Sequence, residues 1–291
     1  AGATFVEALG RIVFGVDPGV DRNSQLKAAF GIDTADWSGR PLSRIQAAEL
    51  VEKVAGRREF ATVTVLVTAD IHGHLEPYKP GTSKYAIGGM SRMARFVKDL
   101  KAANPNVILL DVGDAPYNTN VANLFEGKPV IEIMNYMGYD AMAIGNHDFD
   151  FPQNVMKRNA NLASFPFLSA NTYFEGHRPE YLVPSIVVTA AGRSFGIIGL
   201  TDDRSAVYTH PNNVKGITYK NHFEAAAEEV ESMRDKVDVV IALSHLHGDN
   251  YVLAERVPGI DFEMGGGNDV VAFPQLIGGT WLISPGKHSE A

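Results

Sequence analysis

The chain has 291 residues, 45% hydrophobic and 21% charged, the composition of an ordinary globular protein with room for one large domain and a small one. Its net charge of −8 and the lack of a strong basic run exclude a nucleic-acid polymer as partner, because backbone binding rests on clustered Lys and Arg. No run of eighteen apolar residues is present, so no membrane span is expected, and a chain without cysteine fits an oxidising or a reducing compartment equally well.

Residues 1–58 read as helices separated by turns. Phe5, Leu9 and Ile12 recur on one face, and Ser43 is placed to cap a helix that carries Ile45, Ala48, Leu50, Val51 and Val54 and stops at Gly56. Between them, Gly31 to Pro41 is a loop rich in Asp, Gly and Ser. From Thr62 the pattern changes to alternating strand and helix. Strands are expected at Thr62–Thr68, Val107–Asp111 and Ala141–Ile144, with helices at Gly89–Ala103 and Pro129–Met137. Further strands are expected at Phe167–Ala170, Ser185–Thr189, Phe195–Leu200, Val237–Leu243 and Thr280–Ile283, with helices at Phe223–Lys236 and Tyr251–Val257. Loops that follow strands and carry polar side chains place the chemistry at the carboxyl ends of a sheet.

Three such loops hold hard metal donors: Asp70-Ile71-His72 with His74 behind, Gly113-Asp114, and Asn146-His147-Asp148-Phe149-Asp150. Asp114 alone reads equally as a turn or helix cap. Asn146 and His147 are more telling, since polar groups at a strand end are costly to bury without a purpose. Carboxylates, a carboxamide oxygen and imidazoles suit zinc, manganese or iron in an open catalytic site. Two such ions a few Å apart supply a nucleophile at neutral pH and offset charge on a phosphoryl group, which is what hydrolysis of a phosphate ester needs.

Residues 62 to about 290 resemble the metallophosphoesterase domain of the 5′-nucleotidase family, which includes UDP-sugar hydrolases and 2′,3′-cyclic-nucleotide phosphodiesterases, within the calcineurin-like superfamily. The resemblance is carried by Thr68-Ala69-Asp70-Ile71-His72-Gly73-His74, Leu110-Asp111-Val112-Gly113-Asp114, Ile144-Gly145-Asn146-His147-Asp148-Phe149-Asp150, Leu168-Ser169-Ala170-Asn171 and Leu243-Ser244-His245. It implies a four-layered α/β/β/α sandwich that holds two divalent ions (Mn, Zn, Fe or Co), with a metal-bound hydroxide attacking a nucleotide or other phosphate ester. Asp70 and His72 would bind the first ion, Asp114 would bridge, and Asn146 and His245 would bind the second. His147, held by Asp150, would stabilise the phosphoryl transition state or protonate the leaving alkoxide.

The chain departs from the family where Gly-Gly-His-x-His or Gly-Gly-His-x-Gln is usual, reading Gly265-Gly266-Gly267-Asn268-Asp269. Asp269 can replace a ligand of the first ion, whereas Gly267 cannot replace an imidazole on the second. Weakened second-ion occupancy is therefore expected, and a degenerate binding protein becomes the alternative function. His247, two residues beyond His245, could compensate for that loss, but it reads more readily as an exposed loop histidine. A thiosulfohydrolase-like relative on the same fold is disfavoured by Asn146-His147.

Residues 1–58 also resemble the tail of a surface-layer homology repeat, through Leu26-Lys27-Ala28-Ala29-Phe30-Gly31-Ile32 and Pro41-Leu42-Ser43-Arg44-Ile45-Gln46-Ala47-Ala48-Glu49-Leu50. That resemblance implies a cell-wall polymer as partner and an extracellular or wall-associated bacterial protein. A plain helical cap on the catalytic domain is the competing reading. The expected division is a helical module over 1–58 and a metallophosphoesterase domain over 59–291, the latter a piece of a longer protein.

Overall fold

The computed structural model describes residues 62–79, 81, 84–267 and 270–288, with backbone only for 270–273. The helical module expected over 1–58, and with it the wall-binding reading, lies outside the described residues, as does Asp269.

The chain runs through β1 (Thr64–Thr68), α1 (Met90–Ala103), β2 (Val107–Asp111), α2 (Asn120–Leu124), α3 (Lys128–Met137) and β3 (Ala141–Ala143). It continues through α4 (Gln153–Leu162), β4 (Phe167–Leu168), β5 (Thr172–Phe174), β6 (Leu182–Val183), β7 (Ser185–Ala190) and β8 (Arg193–Thr201). The rest comprises α5 (Ser205–Tyr208), β9 (Ile217–Tyr219), α6 (His222–Met233), β10 (Val239–His245), α7 (Asp249–Arg256), β11 (Phe262–Gly266), β12 (Val270–Ile277) and β13 (Thr280–Pro285).

Two sheets result. The first has the order β1-β2-β3-β4-β6 and every pairing in it is parallel. The second has the order β12-β13-β11-β10-β8-β7, with a parallel centre and antiparallel edge strands β12 and β7. Successive residues of a strand face opposite ways, and here they enter different cores. Ile108 and Leu110 of β2 join Ile197, Ile241 and Leu243 between the sheets. Leu109 between them packs with Met93, Val97, Ile131 and Met134 of α1 and α3. Likewise Ile198, Leu200, Val240 and Ala242 turn outward to Ala226, Val230 and Leu253 of α6 and α7. The order is helix, sheet, sheet, helix, as the sequence led us to expect.

Leu243 has no exposed surface in the inter-sheet core. Leu243→Ala is expected to cost about 2–5 kcal/mol through lost burial and an unfilled cavity, read as a fall in chemical-denaturation midpoint.

Several short elements were not foreseen, and three of them show why. β11 (Phe-Glu-Met-Gly-Gly) has neither β-branched residues nor alternation, and is a strand because β10 and β13 flank it in parallel register. α4 buries only Val155, Met156 and Asn159, too little for the sequence to show a period. β12 contains Pro274, tolerated because the strand is an edge and its register slips between Val271 and Gln275.

Candidate metal centre

The parallel strands β1, β2, β3 and β10 deliver their following residues to one edge of the sandwich, so donors far apart in sequence converge. Asp70 and His72 follow β1, Asp114 follows β2, Asn146, His147 and Asp150 follow β3, and His245 is the last residue of β10. One ligand atom from each of Asp70, Asp114 and His245 lies within 4.8 Å of the others, and all three residues are buried. His72 Nε2 is 3.6 Å from Asp70 Oδ1 and 4.0 Å from Asp114 Oδ2. Asp70, His72 and Asp114 have φ of 50°, 49° and 59°, the left-handed region that non-glycine residues seldom enter. Backbone strain at three neighbouring donors is of the kind that persists where a site demands it.

The donors are individually steered. His245 reaches across the sheets: its Nδ1–H donates to Val112 O at 2.9 Å, which turns Nε2 to Asp114 Oδ2 at 3.0 Å. A ring nitrogen tied to a carbonyl leaves the other free to bind a cation. Asp114 Oδ1 accepts the His147 backbone N–H at 2.8 Å. Asp148, given no role by sequence reasoning, accepts N–H from Gly145 at 2.7 Å and Asp114 at 3.0 Å, so one buried carboxylate ties two donor loops together. Burial, helped by the Asp114 charge, pushes Asp148 up to about 7. Asp111 accepts from Thr68 Oγ1 at 2.5 Å and Gly113 N at 2.8 Å, and burial raises its pKa.

The site favours positive charge. Burial opposes ionisation of both Asp114 and His245, yet their mutual attraction wins, lowering the pKa of the acid and raising that of the imidazole. Asp70 Oδ1, His72 Nδ1 and Asn146 Oδ1 are buried with no hydrogen-bond partner among the described residues. Orphaned groups of this type, converging beside the Asp114 carboxylate, fit divalent cations.

His147 stands at the mouth with 37% of its side chain exposed. Its Nδ1 bonds Asp150 Oδ2, and that bond raises its pKa against the opposing effect of burial. Tyr117 lies parallel to the ring at 5.9 Å, and the His72 ring meets it edge-on at 5.1 Å. His288 donates its backbone N–H to Asp70 O at 2.8 Å and sets its ring 5.6 Å from that of His72. No local motif marks it; only the path of the chain after β13 brings it there.

Gly145 allows this closeness. A Cβ there would lie 2.2 Å from Asp114 Oδ1 and 2.9 Å from His245 Cε1. Gly145→Ala is expected to lower kcat about 100-fold, the scale on which an ångström of misplacement acts, with saturating substrate and metal failing to restore it.

Residues beyond the predicted set complete the surroundings. Asp202 follows β8, is fully buried, and donates its backbone N–H to His245 O at 3.0 Å. Arg204 binds the Asp202 carboxylate through Nε at 2.9 Å and Nη2 at 2.8 Å, and also reaches Asp249 at 3.1 Å. Asp202, Asp203 and His222 form a second acidic group, but the Asp202 carboxylate is already paired with the Arg204 guanidinium.

Buried carboxylates and imidazoles at the strand ends of an α/β/β/α sandwich define a metallohydrolase-type centre. Residues 63–272 match the calcineurin-like phosphoesterase family model, and the chain belongs to that family. A protein named UshA from Salmonella pullorum is 31% identical over 221 residues, covering 75% of this chain and 40% of the relative. The 5′-nucleotidase of Mus musculus is 31% identical over 216 residues, 70% of this chain and 37% of the relative. Among solved structures, a 5′-nucleotidase precursor from Thermus thermophilus superposes with a TM-score of 0.71 at 26% identity, covering 78% of this chain and 49% of that one. A sulfate thiohydrolase from the same species, SoxB, shares the fold, with a TM-score of 0.72 at 20% identity over 79% of this chain and 52% of that one. The chain thus spans about 40% of the length of these curated relatives. No helix among the described residues is long and apolar enough to cross a membrane.

Proposed function

We propose that the chain carries the dinuclear centre of an enzyme that hydrolyses phosphate esters of nucleotides. The observation that carries this reading is the convergence of buried Asp70, Asp114 and His245 from separate strand ends. Asp70 and His72 would hold a first ion, with Asp269 as a further ligand, Asn146 and His245 would hold a second, and Asp114 would serve both. Ions of the Mn, Zn, Fe or Co type would supply a water of lowered pKa and offset charge on the phosphoryl oxygens. The protein's own task is to orient. Asp148 fixes the Asp114 and Asn146 loops, Val112 fixes His245, and Asp150 keeps His147 protonated on Nδ1, leaving Nε2 toward the leaving oxygen. The nucleotide preference comes from the relatives named 5′-nucleotidase.

A degenerate binding protein is the second reading, favoured by the missing side chain at Gly267. Phosphatase assays on nucleoside monophosphates and cyclic nucleotides with manganese, zinc or cobalt separate the two. Activity lost to a chelator and restored by metal is expected, and flat traces under every metal would retire the enzymatic reading.

A further inference from the structure

Gly267 leaves the proposed second ion short of an imidazole, and the structure shows what fills the space. Gly267 has φ +87° and donates its N–H to Asp70 Oδ2 at 3.0 Å, so it lies against the metal centre. Along the direction a Cβ would take from it sits His247, with Cγ at 2.9 Å and Cδ2 at 3.0 Å. A side chain at 267 would therefore press on the His247 ring and on its backbone N, also at 3.0 Å. Gly267→His, the substitution that would restore the family pattern, would have to displace His247.

His247 is also held as a ligand would be. Its backbone has φ 55°, the left-handed turn shared by Asp70, His72 and Asp114, and its ring meets that of His245 edge-on at 5.4 Å. Its Nδ1 is 3.2 Å from Asp202 Oδ2. That carboxylate is immobilised by Arg204, and its own backbone anchors His245. An imidazole whose one nitrogen faces a fixed carboxylate presents the lone pair of the other, which is the usual support behind a metal-binding histidine.

We propose that His247 Nε2 is a ligand of the second divalent ion, taking the place that Gly267 cannot fill, with Asp202 as the positioning residue that fixes its tautomer. This rests on the dinuclear centre proposed above. The complementary pair of small Gly267 and imidazole at 247 then keeps the centre complete, so the expectation of a weakened second site gives way to one of full loading.

Titration of the metal-stripped protein with Mn²⁺, followed by calorimetry and by elemental analysis of bound metal, tests this. The unaltered protein is expected to take up two ions. His247→Ala is expected to weaken the weaker site about 10-fold to 100-fold or more while the tighter site is unchanged. His247→Leu, which keeps bulk over Gly267 but cannot coordinate, should do the same, and both should melt within a few degrees of the parent when metal-free. Asp202→Asn should weaken the same site more mildly. Two-ion titration of both His247 variants indistinguishable from the parent would overturn the proposal. So would variants that load normally and only raise KM, since His247 would then contact substrate. Failure of the unaltered protein to bind any Mn²⁺ would instead strike the dinuclear reading itself.

Discussion

Asp114→Ala is expected to lower kcat/KM for phosphate-ester hydrolysis by well over 100-fold and to abolish paired metal uptake. Asp114 is the hub of the centre: its Oδ2 is 3.0 Å from His245 Nε2 and 4.0 Å from His72 Nε2, and its Oδ1 accepts the His147 N–H at 2.8 Å. Partners that merely orient a ligand already cost about 10-fold to 100-fold when removed, so loss of the carboxylate proposed to serve both ions should exceed that. Asp114→Asn sharpens the test. The amide oxygen can still accept the His147 N–H and hold the loop, but it carries no charge to attract two cations. If geometry alone mattered, Asn would rescue most activity; the charge-based account expects it to recover little, with at most one ion bound. A variant that keeps two ions and a tenth of the activity would show that Asp114 does not lie between them.

The sequence made the donors legible for a physical reason. Asp70, His72, Asp114, Asn146 and His245 lie at strand ends, where apolar runs stop and polar residues begin, and a single chain shows that boundary directly. The four-layer order came from the family resemblance, while the residues themselves showed only that β2, β8 and β10 are strands with mostly buried positions. What stayed hidden depends on partners distant in sequence. Asp148 matters because its carboxylate meets a backbone N–H 34 residues away, and nothing near Asp148 announces that. Asp202 reads as one acid among several until β8 and β10 pair and set it beside His247. β11 was missed because Phe-Glu-Met-Gly-Gly has no β-branched residue and ends in two glycines, yet Gly265 and Gly266 let it pass close to Asn250 and His245. The same smallness removed the expected imidazole at 267 and made room for the one at 247.

The second large effect concerns His147. If its imidazolium protonates the leaving alkoxide, activity requires the protonated ring and falls as pH rises through its pKa. The Asp150 carboxylate raises that pKa by accepting from Nδ1, the leading influence on the ring. Asp150→Asn should therefore lower the pKa, move the alkaline limb of the kcat profile to lower pH, and show its largest deficit above neutrality. His147→Ala removes the acid and should cost about 10²–10⁴-fold in kcat, the usual worth of a positioned proton donor. Metal uptake should be unaffected in both, because His147 contributes only its backbone N–H to Asp114. The leaving group gives the deciding measurement. A nucleoside alkoxide needs a proton to depart, whereas p-nitrophenolate does not. The deficit of His147→Ala should thus be large on a nucleoside monophosphate and shrink toward parity on p-nitrophenyl phosphate. Equal deficits on the two substrates would mean that His147 serves the phosphoryl group instead, stabilising its charge in the transition state whichever group leaves.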